Sequence, residues 1–138
     1  MSDINLDPDA KVLVVDDMDS VRFILIGILI DMGFKNILEA ANGEDAMTCF
    51  LEQTESLRNI DLIISDLNMP IMSGFEFLKA VRSHYFGGEV PFLVVTTEQD
   101  KGVVVECIEA GASNYIIKPF DKEVVKERIF EAYKTHKL

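Results

Sequence analysis

Four places in the chain set a chemically able side chain at the end of an apolar run. Asp16 and Asp17 follow "KVLVV", Asp66 follows "LIIS", Thr96 and Thr97 close "PFLVV", and Lys118 closes "NYII" ahead of Pro119. A carboxylate at the end of a buried run is expensive to desolvate, so its placement asks for a chemical reason. Three carboxylates gathered in one site repel one another and need a cation, or one raised pKa, to coexist. An all-oxygen set suits a hard ion, Mg²⁺ or Mn²⁺ in its place. Lys118 would add a fixed positive charge and Thr96 a hydroxyl. Metal, ammonium and hydroxyl together make a pocket for phosphoryl oxygens. In such a pocket Asp66 can act as a nucleophile and form an acyl phosphate. Each residue alone has an ordinary reading: Asp as a turn or cap residue, Lys-Pro as a strand stop, Thr as a strand-end residue. Their joint placement carries the argument.

That placement depends on the elements around them. "KVLVV", "ILEA", "DLIIS", "PFLVVT" and "NYIIK" read as short, buried, β-branched strands. Between them lie helical patterns. "SVRFILIGILIDMGF" is capped by Ser20 or Asp19 and closes at Gly33; "NGEDAMTCFLEQ" opens at Asn42; "SGFEFLKAVRSH" opens at Ser73; "QDKGVVVECIEAG" ends at Gly111; and "DKEVVKERIFEAYKTHK" is the last. The pattern is strand–helix repeated five times. Parallel strands need crossovers, which cover both faces with helices. The predicted fold is an open, doubly wound α/β sheet. Ligands of such sheets bind outside the carboxyl ends of the strands, where all these residues would meet. Residues 1–10 read as a flexible polar tail and residues 11–138 as a single domain.

Composition narrows the function. The chain has 138 residues, 49% of them hydrophobic, and a formal net charge of −11. The length suits one domain. The negative balance argues against a nucleic-acid surface, which needs clustered Lys and Arg, and favours basic partners or bound cations. Cys49 and Cys107 lie in helical patterns without a CxxC spacing and read as small buried hydrophobes. The longest apolar stretch, Phe23 to Ile30, is too short to span a bilayer, and the acidic start is unlike a leader peptide. A cytoplasmic monomer with reduced thiols and no membrane insertion is expected. There is no GxGxxG or GKS/T loop, and "DDMDS" after the first strand would repel a nucleotide's phosphates unless a metal intervened. An aspartyl phosphatase of the haloacid-dehalogenase kind wants Asp-x-Asp, but Asn68 stands at the second position and cannot serve as the acid.

The runs "VVDD", "ISDLNMPIMSGFEFL", "VVTTEQ" and "AGASNYIIKPF" resemble the receiver domains of two-component response regulators, over roughly residues 11–135. The nearest likeness is to the single-domain chemotaxis regulators. The resemblance implies a flavodoxin-like five-stranded sheet in the order 2-1-3-4-5. It implies that Asp66 is the phosphoacceptor, and that Asp17 and Asp66 bind Mg²⁺ by their carboxylates, Asn68 by its backbone carbonyl and Asp16 through water. Lys118 would pair with the phosphoryl group, and Thr96 and Tyr115 would form the switch. Asn68 and Glu98 would tune the lifetime of a short-lived phosphoryl group, and Pro119 would follow a cis peptide bond. The implied partners are a histidine kinase or phosphotransfer protein, a flagellar motor switch protein or other phospho-dependent target, and a phosphatase. A phosphorelay role is the alternative to the chemotaxis messenger. Lys101, Val104, Ile108, Tyr115 and Arg128 would form the output face. The segment "LEQTESLRNID" is longer than in the chemotaxis regulators, Leu67 stands where they have an aromatic residue, and Thr97 where they have Ala. On the first helix Val21, Ile24, Leu25, Ile28 and Met32 supply a sheet-facing stripe. Phe23, Ile26 and Ile30 form a second stripe, read either as a partner contact or as core beneath a covering segment.

Overall fold

The computed structural model describes residues 7–97 and 101–137. Its elements are β1 (Lys11–Val15), α1 (Asp19–Asp31), β2 (Asn36–Ala40), α2 (Gly43–Glu55), β3 (Leu62–Asp66), α3 (Gly74–Ser83), β4 (Phe92–Thr97), α4 (Lys101–Glu109), β5 (Asn114–Lys118) and α5 (Lys122–Ala132). The strands form one sheet in the order β2-β1-β3-β4-β5, every pair parallel, as the resemblance implied.

Alternation along the central strands divides the apolar side chains between two cores. Leu13, Val15, Ile63, Phe92 and Val94 pack with Phe50 of α2 and Phe77 of α3. Val12, Val14, Leu62, Ile64, Leu93 and Val95 pack with Leu25 and Leu29 of α1 and Val125 and Ile129 of α5. Phe50, Phe77 and Phe92 are fully buried, which contributes about 1.5–3 kcal/mol for each ring. A slip of one residue would exchange the two sets of side chains, so the cores fix the register that aligns the strand ends.

Capping follows the sequence at Asn42 and Ser73, and Asp121 caps a third helix. Asn42 Oδ1 accepts from the Asp45 amide, Asp121 Oδ1 accepts from that of Val124, and Ser73 forms a reciprocal capping box with Glu76. The first helix differs from expectation. Its cap position is Met18 and has no side-chain cap, while Asp19 and Ser20 already lie inside the helix. The Asp16 carboxylate closes this turn instead, accepting from the Met18 amide at 2.9 Å.

Three further differences are local. The last helix is regular only to Ala132, and Tyr133–Lys137 form a π-helical turn. Buried Tyr133 and a 2.6 Å contact between the His136 ring and Ser113 Oγ hold that turn against the sheet. Residues 7–10, expected within the tail, are tied down: the Pro8 carbonyl accepts from Lys35, that of Asp9 accepts from Asn36, and Ala10 is buried. On α1, Ile24 is exposed and Ile26 packs against the core, the reverse of the expected stripes, because Leu25 and Leu29 set the axis that faces the sheet.

The loop from β3 to α3 is pinned at both ends by glycine. The Gly74 amide donates to the Leu67 carbonyl, and a Cβ on Gly74 would lie 2.0 Å from the Asp66 carbonyl oxygen. The Gly43 amide donates to the Met72 carbonyl, and a Cβ there would lie 2.6 Å from that oxygen. Gly74→Ala is therefore expected to cost about 1–3 kcal/mol in urea denaturation, because a backbone oxygen must give way. Unchanged stability would show that the loop is not held against the end of β3.

Candidate functional site

The carboxyl edge of the sheet gathers the side chains that the sequence spread over more than a hundred positions. Asp16 follows β1 and is buried, Asp66 ends β3 and is buried, and Asp17 is exposed at the rim. Each offers one carboxylate oxygen, and the three oxygens lie within 4.8 Å of one another. Lys118, at the end of β5, reaches across β4. Its Nζ stands 3.0 Å from Asp66 Oδ1 and 3.4 Å from Asp16 Oδ2. Thr96, buried at the end of β4, belongs to the strand between them.

Charge and burial set the protonation behaviour. Burial pushes the Asp66 carboxyl above the ordinary carboxylate value, and the charges of Asp16 and Asp17 push the same way against the opposing Lys118 ammonium. Burial pulls Lys118 down, but the Asp66 and Asp16 carboxylates outweigh it, so its pKa is raised and its charge is fixed at neutral pH. Asp16 Oδ1 is used by the Met18 amide, while Oδ2 is buried and makes no hydrogen bond, only the longer ion pair with Lys118. A buried anionic oxygen left in this state, beside two more carboxylates, is the donor a hard cation takes up. The residues present fit Mg²⁺.

The remaining candidates divide by place. Asn68 is exposed on the loop beyond Asp66, and Leu67 is buried with its amide donating to the Val95 carbonyl. The Lys118–Pro119 peptide is cis. Glu98 lies outside the described residues. Lys101, Val104 and Ile108 of α4 join Tyr115 and Ile117 of β5 along a groove of about 540 Å³. Arg128 of α5 does not line that groove but stacks on the Tyr115 ring, 4.5 Å from its centroid. Phe23 and Ile30 are exposed on α1, with Ile24 rather than Ile26 beside them. Val21 and Ile24 line a second groove, of about 340 Å³, with Lys118, Pro119 and Phe120. The thiols are free, and burial raises both, Cys107 to about 11, which suits packing rather than reactivity.

Sequence reasoning missed Arg22. Its guanidinium donates to the Asp16 backbone carbonyl and pairs with Asp19 and Glu39, so it braces the β1–α1 turn that carries the acidic pair. The available signal was a lone cation in an otherwise apolar helix.

Comparison with known proteins agrees with this geometry. The response regulator receiver domain family matches residues 12–130. The chain belongs to that family. Chemotaxis protein CheY1 of Helicobacter pylori is 38% identical over 119 residues, covering 86% of this chain and 93% of the relative. The structure of chemotaxis response regulator CheY4 of Vibrio cholerae superposes with a TM-score of 0.76 at 36% identity, covering 90% of this chain and 98% of that one. A CheX-CheY-BeF3-Mg complex from Borrelia burgdorferi has a TM-score of 0.79 at 28% identity, covering 90% of this chain and 89% of that one. This receiver domain is thus closely related to chemotaxis response regulators and serves phosphorylation-dependent signalling. Among the described residues no helix is long and apolar enough to cross a membrane.

Because the folded-state pKa of Asp66 lies above its unfolded value, the stability this group contributes is present in acid and is lost as pH rises through the folded value. Asp66→Asn is therefore expected to raise the melting temperature of the metal-free protein at pH 7, with the gain fading in acid. Millimolar Mg²⁺ should raise the melting temperature of the wild type, and by less in Asp17→Ala, since the ion binds the native cluster. A wild-type melting temperature indifferent to Mg²⁺ would remove the metal from the site.

Proposed function

We propose that Asp66 accepts a phosphoryl group from a kinase phosphohistidine and that the modified protein acts as a cytoplasmic chemotaxis messenger to the flagellar motor. The observation that carries this is the ion pair of Asp66 with Lys118 beside the unbonded Asp16 oxygen. Three carboxylates against one ammonium leave a formal charge of two negatives, the complement of a divalent ion. Asp16, Asp17, Asp66 and the Asn68 carbonyl would hold Mg²⁺. When bound, Mg²⁺ supplies positive charge for the carboxylates and the incoming phosphoryl oxygens.

The chain's own residues perform the rest. The Asp66 carboxylate attacks phosphorus as the P–N bond of the donor breaks, and the electron pair leaves with the histidine ring. Lys118 already pairs with the attacking group and remains to neutralise a phosphoryl oxygen. Thr96, between β3 and β5, supplies a hydroxyl on the same edge. In the reverse phase water attacks phosphorus, the bond to Asp66 breaks, and phosphate leaves with the carboxylate restored. In this way the site assists both reactions without being an enzyme toward another substrate. The added charge biases Thr96 and Tyr115 and through them the α4–β5 groove. The phosphorelay and phosphatase alternatives are not favoured, since the relatives are chemotaxis regulators and Asn68 replaces the acid a phosphatase needs.

The groove of Val21, Ile24, Pro119 and Phe120 runs to Lys118, and Phe23 and Ile30 extend an apolar surface along α1. This surface suits a helical kinase, phosphotransfer protein or phosphatase that must bring its reacting group to Asp66. Two outcomes are expected. Asp66→Asn should abolish labelling by acetyl phosphate while the fold persists; phosphate mapped to another residue at an undiminished rate would sink the assignment. Phe23→Arg with Ile24→Lys should slow transfer from a phosphorylated partner by tenfold or more, an order-of-magnitude expectation for lost interface anchors. It should leave acetyl phosphate labelling unchanged, and equal slowing with both donors would point to damaged chemistry instead.

A further inference from the structure

The environment of Arg128 is unlike that of a solvated surface arginine. Its side chain is 26% exposed, and its Nε is buried without a hydrogen-bond partner. Its guanidinium carbon lies 4.5 Å from the centroid of the Tyr115 ring. Nη1 stands 3.4 Å from Glu131 Oε1, and the same oxygen accepts from Asn114 Nδ2 at 2.8 Å. Asn114 Oδ1 in turn accepts from the Tyr115 amide at 2.9 Å. The contacts close a ring: from the Tyr115 backbone to Asn114, Glu131 and Arg128, and back to the face of the Tyr115 side chain. Leaving Nε unbonded costs free energy, and stacking on the ring is the interaction that this placement gains.

We propose that Arg128 is a positioning residue that clamps Tyr115 in the groove-lining orientation seen here and opposes its turn inward behind Thr96. The inference rests on the reading of Tyr115 as a switch. A ring that turns toward the core leaves the guanidinium, so the clamp stabilises the unphosphorylated arrangement and lowers the basal population of the signalling one. Whatever binds Asp66 and favours the inward ring must then overcome the clamp, and its apparent affinity falls by the same factor. Glu131 and Asn114 hold the guanidinium in place, so the clamp is shared between β5 and α5.

The probe is beryllofluoride with Mg²⁺, read by the ¹³C and ¹H shifts of the Tyr115 ring and by a binding isotherm. In Arg128→Met the stem remains and the charge is lost. The free protein's ring resonance should move toward its beryllofluoride-bound position, and apparent affinity should rise about two- to fivefold, the scale of an exposed cation–π contact. Loss of a positive charge would by itself weaken binding of an anionic probe, so tighter binding has the opposite sign to a simple charge effect. Arg128→Lys keeps a cation near the ring and should restore most of the wild-type behaviour. Glu131→Gln, which keeps the acceptor for Asn114 but loosens Arg128, should shift the resonance the same way by less, and it decides the matter if Arg128→Met does not fold. Wild-type resonance and affinity in folded Arg128→Met would overturn the clamp while leaving the switch reading intact. A Tyr115 resonance that ignores beryllofluoride in the wild type, with the probe bound, would overturn both.

Discussion

One ammonium group holds together charges that would otherwise drive the end of the sheet apart. Lys118 Nζ lies within ion-pair distance of both buried carboxylates, Asp16 just after β1 and Asp66 at the end of the adjacent β3. Buried carboxylates so close are tolerable only when opposite charge is built in beside them. The pairing links the ends of β1, β3 and β5, with Lys118 reaching across β4, so it depends on strands far apart in sequence ending at one edge. Local charge and global topology are the same constraint here. The chemistry follows from the residual imbalance: a single lysine leaves room for a divalent ion and for phosphoryl oxygens.

The rest of the fold keeps that edge in register. Two cores, one on each face, fix the alternation of the strands and with it the level at which each strand ends. The loop beyond Asp66 is anchored through the Gly43 and Gly74 amides, both at sites where a side chain would strike backbone. Arg22 braces the opposite wall by gripping the Asp16 carbonyl. Its partners Asp19 and Glu39 are largely exposed, so these pairs set geometry more than they add stability. Preorganisation of this kind matters because phosphoryl transfer asks for positioned charge rather than for new covalent machinery.

Two apolar grooves border the site on different sides. One, between α1 and the turn after β5, includes Lys118 itself; the other, between α4 and β5, includes Tyr115. β5 thus carries Lys118 at its end and Tyr115 near its start, one paired with Asp66 and the other lining the groove beside α4. The charged cluster around Asp66 and the ring of Tyr115 therefore share one short strand. Arg128 and Glu131 fasten that strand to α5 from outside.

The sequence by itself determined the alternation of elements, because β-branched runs and amphipathic stretches of helical length leave little choice. It also determined the members of the site, since charged and hydroxyl residues at the ends of apolar strands have few physical reasons to be there. The strand order and the residue roles came from the family likeness of "VVDD", "ISDLNMP" and "IIKPF", not from periodicity. What needed tertiary structure was everything decided by direction and partner. The apolar residues of α1 could not be sorted by spacing alone, because nearly every position from Phe23 to Ile30 is apolar; burial of Leu25 and Leu29 sorted them, turning Ile26 inward and Ile24 outward. The cap of α1 was misread because the Asp16 carboxylate closes the turn from outside the helix. The last helix reaches Lys137 as read, but its end is π rather than α, with Tyr133 buried and His136 bonded to Ser113. Arg22 drew no reading from the sequence and Arg128 was read only as part of an output face; folding set one on a strand-end carbonyl and the other on a tyrosine ring. Sequence spacing fixes neighbours along one element; contacts between elements depend on rotamers and on which face meets which, and those are set when the layers pack.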